Sequence, residues 1–304
     1  MLPLSPIQLL ESELYTEKKL QVWVKRDELI HPLISGNKWR KLQYNLEAFK
    51  QLGKKHLLSF GGAFSNHLLA LAAAAQKHQI KATLIVRGDG YDEHNPTLRL
   101  ARQMGLNLVF MDRANYKKRD DPAFQEQLLN QYQADFLLPE GGTNALALKG
   151  CRTLVDEITF QLSAEPDFIC VAAGTGGTSA GILEQTKQTK VLVFPALKGD
   201  FMEKTIRNIS TTKLPAFQCF NQYHFGGYAK FKPELIQFIN QFHQAHKILL
   251  DPVYTGKMFF GLEDLIQQDY FPEGSSIVAI HTGGLQGNLG FNYRFGNLIP
   301  SPEL

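Results

Sequence analysis

Near its start the chain shows two different spacings of hydrophobic positions. Residues 20–25 alternate between apolar and polar side chains and are rich in β-forming types, which predicts a strand. A spacing of three to four residues follows and predicts an amphipathic helix whose apolar face carries Trp39, Leu42, Leu46 and Phe49. Asn37 is predicted to be the N-cap of this helix, because its side chain can accept a hydrogen bond from an open backbone N–H group.

From residue 53 onward, short apolar runs alternate with helical spacings. Strands are predicted at residues 55–60, 82–86, 106–111, 167–171, 190–194 and 276–280. Helices are predicted at residues 68–76, 96–104, 124–132, 145–161, 179–187, 202–208, 233–246 and 256–268. This alternation is typical of βαβ units, so we expect an α/β fold with two open, twisted, mostly parallel sheets and helices on both faces. The small domain is predicted over residues 50–140 and the large domain over residues 1–49 plus 141–304.

Composition places the chain among ordinary globular proteins. Of its 304 residues, 44% are hydrophobic and 20% are charged, and the formal net charge is only +3. We therefore expect no nucleic-acid partner, and no apolar run is long enough to predict a membrane span. Three scattered cysteines and nine scattered histidines predict neither a metal site nor a disulfide framework. A reducing cytoplasm and the absence of a signal-peptide core are the corresponding expectations.

A glycine-rich turn joins the strand at 167–171 to the next helix. Its backbone N–H groups and hydroxyls are predicted to converge on a phosphate, and they belong to Gly174, Thr175, Gly176, Gly177 and Thr178. A tight turn that binds nothing is the simple alternative. A dinucleotide-binding loop is a further alternative, but it needs an acidic residue about twenty positions later to hold the ribose. The following strand ends in Phe-Pro-Ala at residues 194–196, with no acid there.

Two other stretches place reactive side chains at predicted helix starts. Lys38 lies in the first turn of its helix, where the positive end of the helix dipole lowers the pKa of an ammonium group. A neutral amine is what a lysine needs to attack a carbonyl, although a solvated surface lysine is the plain alternative. Residues 65–67 (Ser-Asn-His) open another helix and suit a carboxylate ligand, with an ordinary N-cap as the alternative.

A fourth stretch, residues 251–257 (Asp-Pro-Val-Tyr-Thr-Gly-Lys), puts a phenol and a hydroxyl side by side before a helix. Together with residues 36–42, 65–67, 174–178 and 281–284 (His-Thr-Gly-Gly), it resembles one family over nearly the whole chain. That family is the pyridoxal-phosphate enzymes of fold type II, in the branch that contains 1-aminocyclopropane-1-carboxylate (ACC) deaminase and D-cysteine desulfhydrase.

The resemblance implies a role for each stretch. Pyridoxal 5'-phosphate would lie in the cleft between the two domains, joined to Lys38, with its phosphate in the glycine loop. Asn66 would bond the ring hydroxyl, and Ser65, Asn66 and His67 would receive the substrate carboxylate. Tyr254, and also Tyr228, would stand near a small amino-acid substrate as acid or base. A homodimer is the family-level expectation.

Thr255 distinguishes the two activities of this branch. ACC deaminases characteristically carry a glutamate there, beside the pyridine nitrogen of the cofactor, and a neutral hydroxyl supports electron withdrawal less well. Weak withdrawal is sufficient when a good leaving group departs from the β-carbon, so we expect a D-cysteine desulfhydrase-like activity that gives pyruvate, ammonia and sulfide. ACC deamination is the alternative. A cofactor- or metabolite-binding protein without turnover is the hypothesis from another class, and a nicotinamide oxidoreductase is disfavoured by the missing ribose acid.

Overall fold

Two parallel sheets organise the chain. The computed structural model describes residues 4–90 and 92–303. The ten strands found there are β1 Ile7–Leu9, β2 Gln21–Lys25, β3 His56–Gly62, β4 Lys81–Arg87, β5 Asn107–Met111, β6 Phe136–Leu138, β7 Phe168–Ala173, β8 Lys190–Pro195, β9 Gln218–Cys219 and β10 Ser276–Ile280. All four strands between His56 and Leu138 form the small sheet, in the order β5-β4-β3-β6. The other six form the large sheet, in the order β1-β2-β10-β7-β8-β9.

Only one pair of neighbouring strands within these sheets runs antiparallel. β1 pairs with β2 in that sense, whereas the remaining pairs of both sheets are parallel. Parallel strands need covered faces, because their backbone hydrogen bonds and apolar side chains are buried on both sides. The all-buried pattern of β7 and the nearly all-buried pattern of β4 agree with this requirement.

Twelve α-helices in the described residues cover the sheets. They are α1 Glu13–Glu17, α2 Asn37–Gln51, α3 Asn66–His78, α4 Pro96–Gln103, α5 Arg113–Tyr116, α6 Pro122–Tyr132, α7 Ala145–Leu162, α8 Gly177–Gln185, α9 Met202–Ile209, α10 Pro233–His246, α11 Thr255–Gln267 and α12 Gly287–Phe295. Two apolar clusters contain residues of the large sheet, and two others contain residues of the small sheet. The predicted α/β architecture with helices on both faces is therefore confirmed.

Helix α2 links the two sheets. Its apolar residues Leu42, Leu46 and Phe49 lie in a cluster with residues of β3, α3 and β4 of the small sheet. Its opposite side packs against α7, which follows the last strand of the small sheet. In parallel α/β sheets, ligands bind at the carboxyl ends of the strands, which is where the predicted functional stretches lie.

Candidate active site

The start of α2 is fixed by the loop that follows β10. Gly36 has φ +59°, and a Cβ atom on it would lie 2.0 Å from the carbonyl oxygen of Thr282. The backbone N–H group of Asn37 donates to that same carbonyl at 3.1 Å. The prediction that Asn37 is the N-cap is wrong, because Gly36 precedes the helix and Asn37 is its first residue. The Asn37 side chain instead donates to Thr178 Oγ1 at 3.0 Å, which ties α2 to the start of α8.

Arg40 anchors α2 two residues after Lys38. Its Nε and Nη2 atoms donate to the two carboxylate oxygens of Asp27 at 2.6 and 2.7 Å. Its Nη1 and Nη2 atoms donate to the carboxylate of Glu157 at 2.8 and 2.9 Å, and Nη1 also donates to Thr153 Oγ1 at 2.8 Å. A guanidinium has five N–H donors, so every one of them is used. Arg40 therefore fixes the helix and has no donor left for a ligand.

Lys41 is a functional candidate that the sequence analysis did not single out. Its side chain is only 2% exposed, and Nζ lies 3.0 Å from Thr143 Oγ1 and 3.3 Å from Thr175 Oγ1. A Cβ atom on Gly177, the first residue of α8, would lie 3.0 Å from the same Nζ. Burial lowers the pKa of Lys41. The available signal was its spacing, since residues i and i+3 of a helix are neighbours and Lys38 is the other member of that pair.

The surroundings of Lys41 fit a phosphate group. Within residues 4–90 and 92–303, Lys41 has hydroxyl partners and no carboxylate at ion-pair distance. The N-terminus of α8 adds open N–H groups. Gly176 is the N-cap residue of this helix and adopts a left-handed backbone angle, φ +79°. An ammonium, two hydroxyls and a helix N-terminus together form a site for a dianion. α8 begins at Gly177, two residues before the predicted start, so the glycine loop itself forms the first turn.

Lys38 lies beside this site. Burial, followed by the positive charge of Lys41, lowers the pKa of Lys38 to about 7. The predicted direction is confirmed, although burial is the main cause where we had expected the helix dipole. Half of the Lys38 side chains are neutral at a pH equal to that pKa, so the amine is available to react with an aldehyde.

The stretch from Ser65 to His67 brings the small sheet to the loop after β10. Ser65 Oγ accepts a hydrogen bond from the N–H group of His67 at 3.2 Å and caps α3. The Asn66 carboxamide lies against two glycines of the large-sheet side: a Cβ on Gly284 would be 2.1 Å from Asn66 Nδ2, and one on Gly287 would be 3.1 Å from Oδ1. Asn66 therefore lies at the junction between the two sheets.

His67 is 1% exposed and is turned under β3. Its Nε2 atom lies 2.8 Å from Ser59 Oγ, and Ser59 donates its own hydrogen to the carbonyl of Leu138 at 2.8 Å. Because that hydroxyl hydrogen is used, Nε2 of His67 must be the donor and Nδ1 the unprotonated atom. Burial and the charges of Lys38 and Lys41 lower the pKa of His67 to about 3, so the ring is neutral.

Two tyrosines face each other at the opposite side of the site. Tyr254 lies against the glycine loop, since a Cβ on Gly174 would be 2.9 Å from its Cε1 atom. The rings of Tyr254 and Tyr228 are 6.2 Å apart and tilted by 66°. Burial raises the pKa of both phenols, Tyr254 more strongly, so both carry their protons at neutral pH.

Tyr228 lies on a loop that Lys257 holds. Nζ of Lys257 donates to the carbonyls of His224 and Gly227, each at 2.8 Å. Left-handed backbone angles recur through this loop, at Phe225, Gly226, Gly227 and Ala229. Lys257 is on α11, one turn after Tyr254, so a single helix carries one tyrosine and fixes the loop of the other.

Thr255 is completely buried, and its hydroxyl makes two hydrogen bonds with Asp251. Thr255 Oγ1 donates to Asp251 Oδ2 at 2.7 Å and accepts from the Asp251 N–H group at 2.9 Å. A hydroxyl has one hydrogen, so Thr255 has none to donate to a ligand and retains one lone pair. It can therefore act toward a cofactor only as an acceptor.

Two classes of site are absent from the part of the chain that the structure describes. No group of three or more His, Cys, Asp or Glu residues there is placed to hold a metal ion. None of the described helices has the length and apolar character of a membrane span.

Comparison with known proteins defines the class to which this site belongs. Residues 2–283 match the family model described as pyridoxal-phosphate dependent enzyme. The chain therefore belongs to that family of enzymes, and pyridoxal 5'-phosphate is its cofactor. The resemblance derived from the sequence is confirmed.

Individual relatives are more specific. The chain is 30% identical to the Arabidopsis thaliana bifunctional D-cysteine desulfhydrase/1-aminocyclopropane-1-carboxylate deaminase, over 88% of this chain and 73% of that protein. It is 28% identical to the D-cysteine desulfhydrase of Yersinia pestis, over 87% of this chain and 86% of the relative. A solved structure of an ACC deaminase homologue superimposes with a TM-score of 0.83 at 29% identity, over 98% of this chain and 95% of that one.

Proposed function

We propose that this enzyme catalyses β-elimination from a small D-amino acid, with D-cysteine and water giving pyruvate, ammonia and hydrogen sulfide. The Arabidopsis and Yersinia relatives named D-cysteine desulfhydrase support this reaction. The observation that carries it is the engagement of Thr255 with Asp251, which leaves a neutral acceptor at the position that carries a glutamate in ACC deaminases. When bound, the cofactor withdraws electrons from the α-carbon of the amino acid.

The protein residues have separate tasks in this proposal. Lys41 and residues 174–178 hold the phosphate, because they combine a buried ammonium with a helix N-terminus. Lys38 supplies a neutral amine to the cofactor aldehyde. Asn66, at the junction of the sheets, would help to hold the cofactor ring, and Thr255 would offer it an acceptor.

Substrate binding and proton transfer fall to the residues on the two sides of the cleft. Ser65 and the N-terminus of α3 receive the substrate carboxylate, and Asn66 shares in this task. His67 is a neutral ring whose hydrogen bond to Ser59 fixes the start of α3, which carries Ser65 and Asn66 beside it. Tyr254 and Tyr228 are protonated at neutral pH and donate a proton to the departing sulfur or return one to the product.

A screen of D- and L-amino acids and ACC for 2-oxo acid release tests the proposal. We expect pyruvate and sulfide from D-cysteine, and loss of both in Lys38→Ala. Release of 2-oxobutanoate from ACC with no product from D-cysteine would instead establish the deaminase alternative. Thr255→Glu is expected to move the ratio of the two activities toward ACC. Bound cofactor with no product from any amino acid would identify the protein as a binding protein without turnover.

We further propose a cytoplasmic homodimer with a domain division near residues 50 and 140. Free Cys151, Cys170 and Cys219 agree with a reducing compartment. The small-sheet strands all lie between His56 and Leu138, which supports the division. The homodimer rests on the family resemblance, and light scattering during gel filtration tests it: a mass of one chain would contradict it.

A further inference from the structure

Arg87 lies at the edge of the cleft and has no anionic partner among the residues that the structure describes. It ends β4, and its side chain is exposed. Nη2 lies 3.6 Å from the position of a Cβ atom on Gly62, which ends the neighbouring β3 and leads to Ser65. Among residues 4–90 and 92–303, its side chain makes no hydrogen bond or ion pair. Its one cation–π contact there is with the ring of Tyr116, whose centroid is 5.8 Å from the guanidinium carbon.

The charged groups around Arg87 are already paired with one another. Tyr116 donates its hydroxyl to Glu140 Oε1 at 2.9 Å, and Arg119 Nε lies 2.7 Å from Glu140 Oε2. Arg119 also lies 3.3 Å from Asp120. The Glu140 carboxylate is thus bonded to Arg119 and Tyr116. Arg87 lies over the aromatic ring, which holds the plane of the guanidinium and leaves its N–H edge free.

Tyr228, on the loop that Lys257 holds, provides a second polar group on the large-sheet side. Its side chain is 42% exposed, so it borders open space. Burial raises its pKa, while the positive charge of Arg87 acts in the opposite direction and the charge of Glu140 adds to the increase. The charges of Arg87 and Glu140 thus both act on the Tyr228 phenol. A guanidinium edge on one side and a phenol on the other provide donors for an oxyanion.

We propose that Arg87 is a subsite for an anionic group of the substrate, a carboxylate or another oxyanion, held at the carboxyl end of β4. This rests on the proposed function, because it assumes an amino-acid substrate in the cleft. The α-carboxylate, which Arg87 would then share with Ser65 and the N-terminus of α3, and an anionic β-substituent have the same chemistry here. The planar fork of Arg87 binds either one in a bidentate manner, as a lysine in the same place would not.

A binding measurement tests the subsite without turnover. Malonate is titrated into the cofactor-loaded protein, in which the phosphate site is filled, and the thermal unfolding temperature is recorded. The variants are Arg87→Gln, Arg87→Lys and Arg113→Gln; Arg113 is an exposed arginine on α5 and serves as the charge-matched control. We expect malonate to stabilise the wild type and Arg113→Gln, and to lose about tenfold or more in affinity in Arg87→Gln. Arg87→Lys should fall between them.

Kinetics then identify the source of the anion. Two D-amino acids with good leaving groups are compared: β-chloro-D-alanine, which has a neutral β-substituent, and O-sulfo-D-serine, which has an anionic one. An equal rise in KM for both in Arg87→Gln assigns Arg87 to the α-carboxylate, whereas a rise for O-sulfo-D-serine alone assigns it to the β-substituent. Identical malonate binding and kinetics in Arg87→Gln and Arg113→Gln would overturn the subsite. If no amino acid is turned over, the proposed function fails while the malonate result still decides the subsite.

Discussion

Lys38 and Lys41 lie one turn apart on α2 and show how burial changes the chemistry of one residue type. Lys41 contacts the two threonine hydroxyls of the phosphate site. Burial and the nearby charge of Lys41 lower the pKa of Lys38 from 10.5 to about 7. One lysine is placed to bind an anion, and the other is placed to react.

The lowered pKa of Lys38 predicts how cofactor loading depends on pH. Only the neutral amine attacks an aldehyde, so the rate should rise with pH through about 7 and level off above it. The measurement is the absorbance change when apoprotein is mixed with pyridoxal 5'-phosphate across that range. Lys38→Ala should show no such phase. An inflection near the 10.5 of an ordinary lysine would contradict the assignment.

Replacing Lys41 by methionine should separate cofactor affinity from stability. Thr143 and Thr175 keep their mutual contact at 2.8 Å, and the cost of burying an amine disappears, so the apoprotein should be as stable as the wild type or more stable. Affinity for pyridoxal 5'-phosphate should fall on the order of tenfold to a hundredfold, because a charge-assisted bond to the phosphate is lost. Thermal unfolding and a cofactor titration measure the two effects. Lys50→Met, at the exposed end of α2, is the control and should leave affinity unchanged.

The sequence predicts which side chains are reactive, but it does not predict which residues they contact. The place of Lys38 in the first turn of a helix predicts a reactive amine. Lys41 is not singled out by the sequence, because nothing local shows that this lysine points toward Thr143, which lies 102 positions later. The tautomer of His67 likewise depends on Ser59 and Leu138, which meet through the pairing of β3 and β6.

At the scale of secondary-structure elements, the first turn of α2 depends on close backbone contact. Gly36 is so close to Thr282 that a methyl group cannot fit between them. Helix propensity and spacing predicted the body of α2 correctly. They placed its N-cap one residue too late, since the contact with the loop after β10 is tertiary.

Gly36→Ala and Gly53→Ala form a matched pair that tests this contact. Both glycines have left-handed angles, φ +59° and +64°, but nothing lies within 4 Å of a Cβ atom on Gly53. Gly53→Ala should cost about 1 kcal/mol of unfolding free energy from backbone strain alone. Gly36→Ala should cost about 3 kcal/mol or more and should also slow cofactor loading, because Lys38 moves. Denaturant titration gives both values, and equal costs would show that the contact is unimportant.

Lys257 connects α11 to the loop that carries Tyr228 through two hydrogen bonds. In Lys257→Met the carbonyls of His224 and Gly227 lose their donor. We expect amide exchange of residues 224–229 to accelerate on the order of tenfold or more, since each bond to a charged group contributes about 1.5–3 kcal/mol. Turnover should fall as well. Lys230→Met, an exposed residue beside the same loop, should exchange like the wild type, and equal exchange in both variants would contradict the role of Lys257.

Short elements limited the prediction from sequence more than long ones. β1 and β9 have three and two residues and were not predicted, because they exist through pairing with β2 and β8. α10, by contrast, begins and ends at the predicted residues, because its apolar spacing is continuous and Pro233 marks its first turn.

At the scale of the whole molecule, the alternation of strands and helices was sufficient to predict two parallel sheets. Their mutual placement could not be predicted, because it depends on contacts such as Asn66 against Gly284 and Gly287. These contacts bring the end of β3 to the end of β10 and thereby form the cleft. The sequence predicts the four stretches separately, and only the structure shows what the charged groups Arg40, Lys41 and Arg87 contact.

The strand order of the large sheet also governs when this enzyme becomes complete during its synthesis. The small sheet is contiguous and can form once residue 138 has left the ribosome. β2 is made before the small sheet but must wait for its neighbour β10, which ends at residue 280. Since the backbone N–H group of Asn37 donates to Thr282, the reactive lysine takes its final place only after β10 and the loop that follows it have been made.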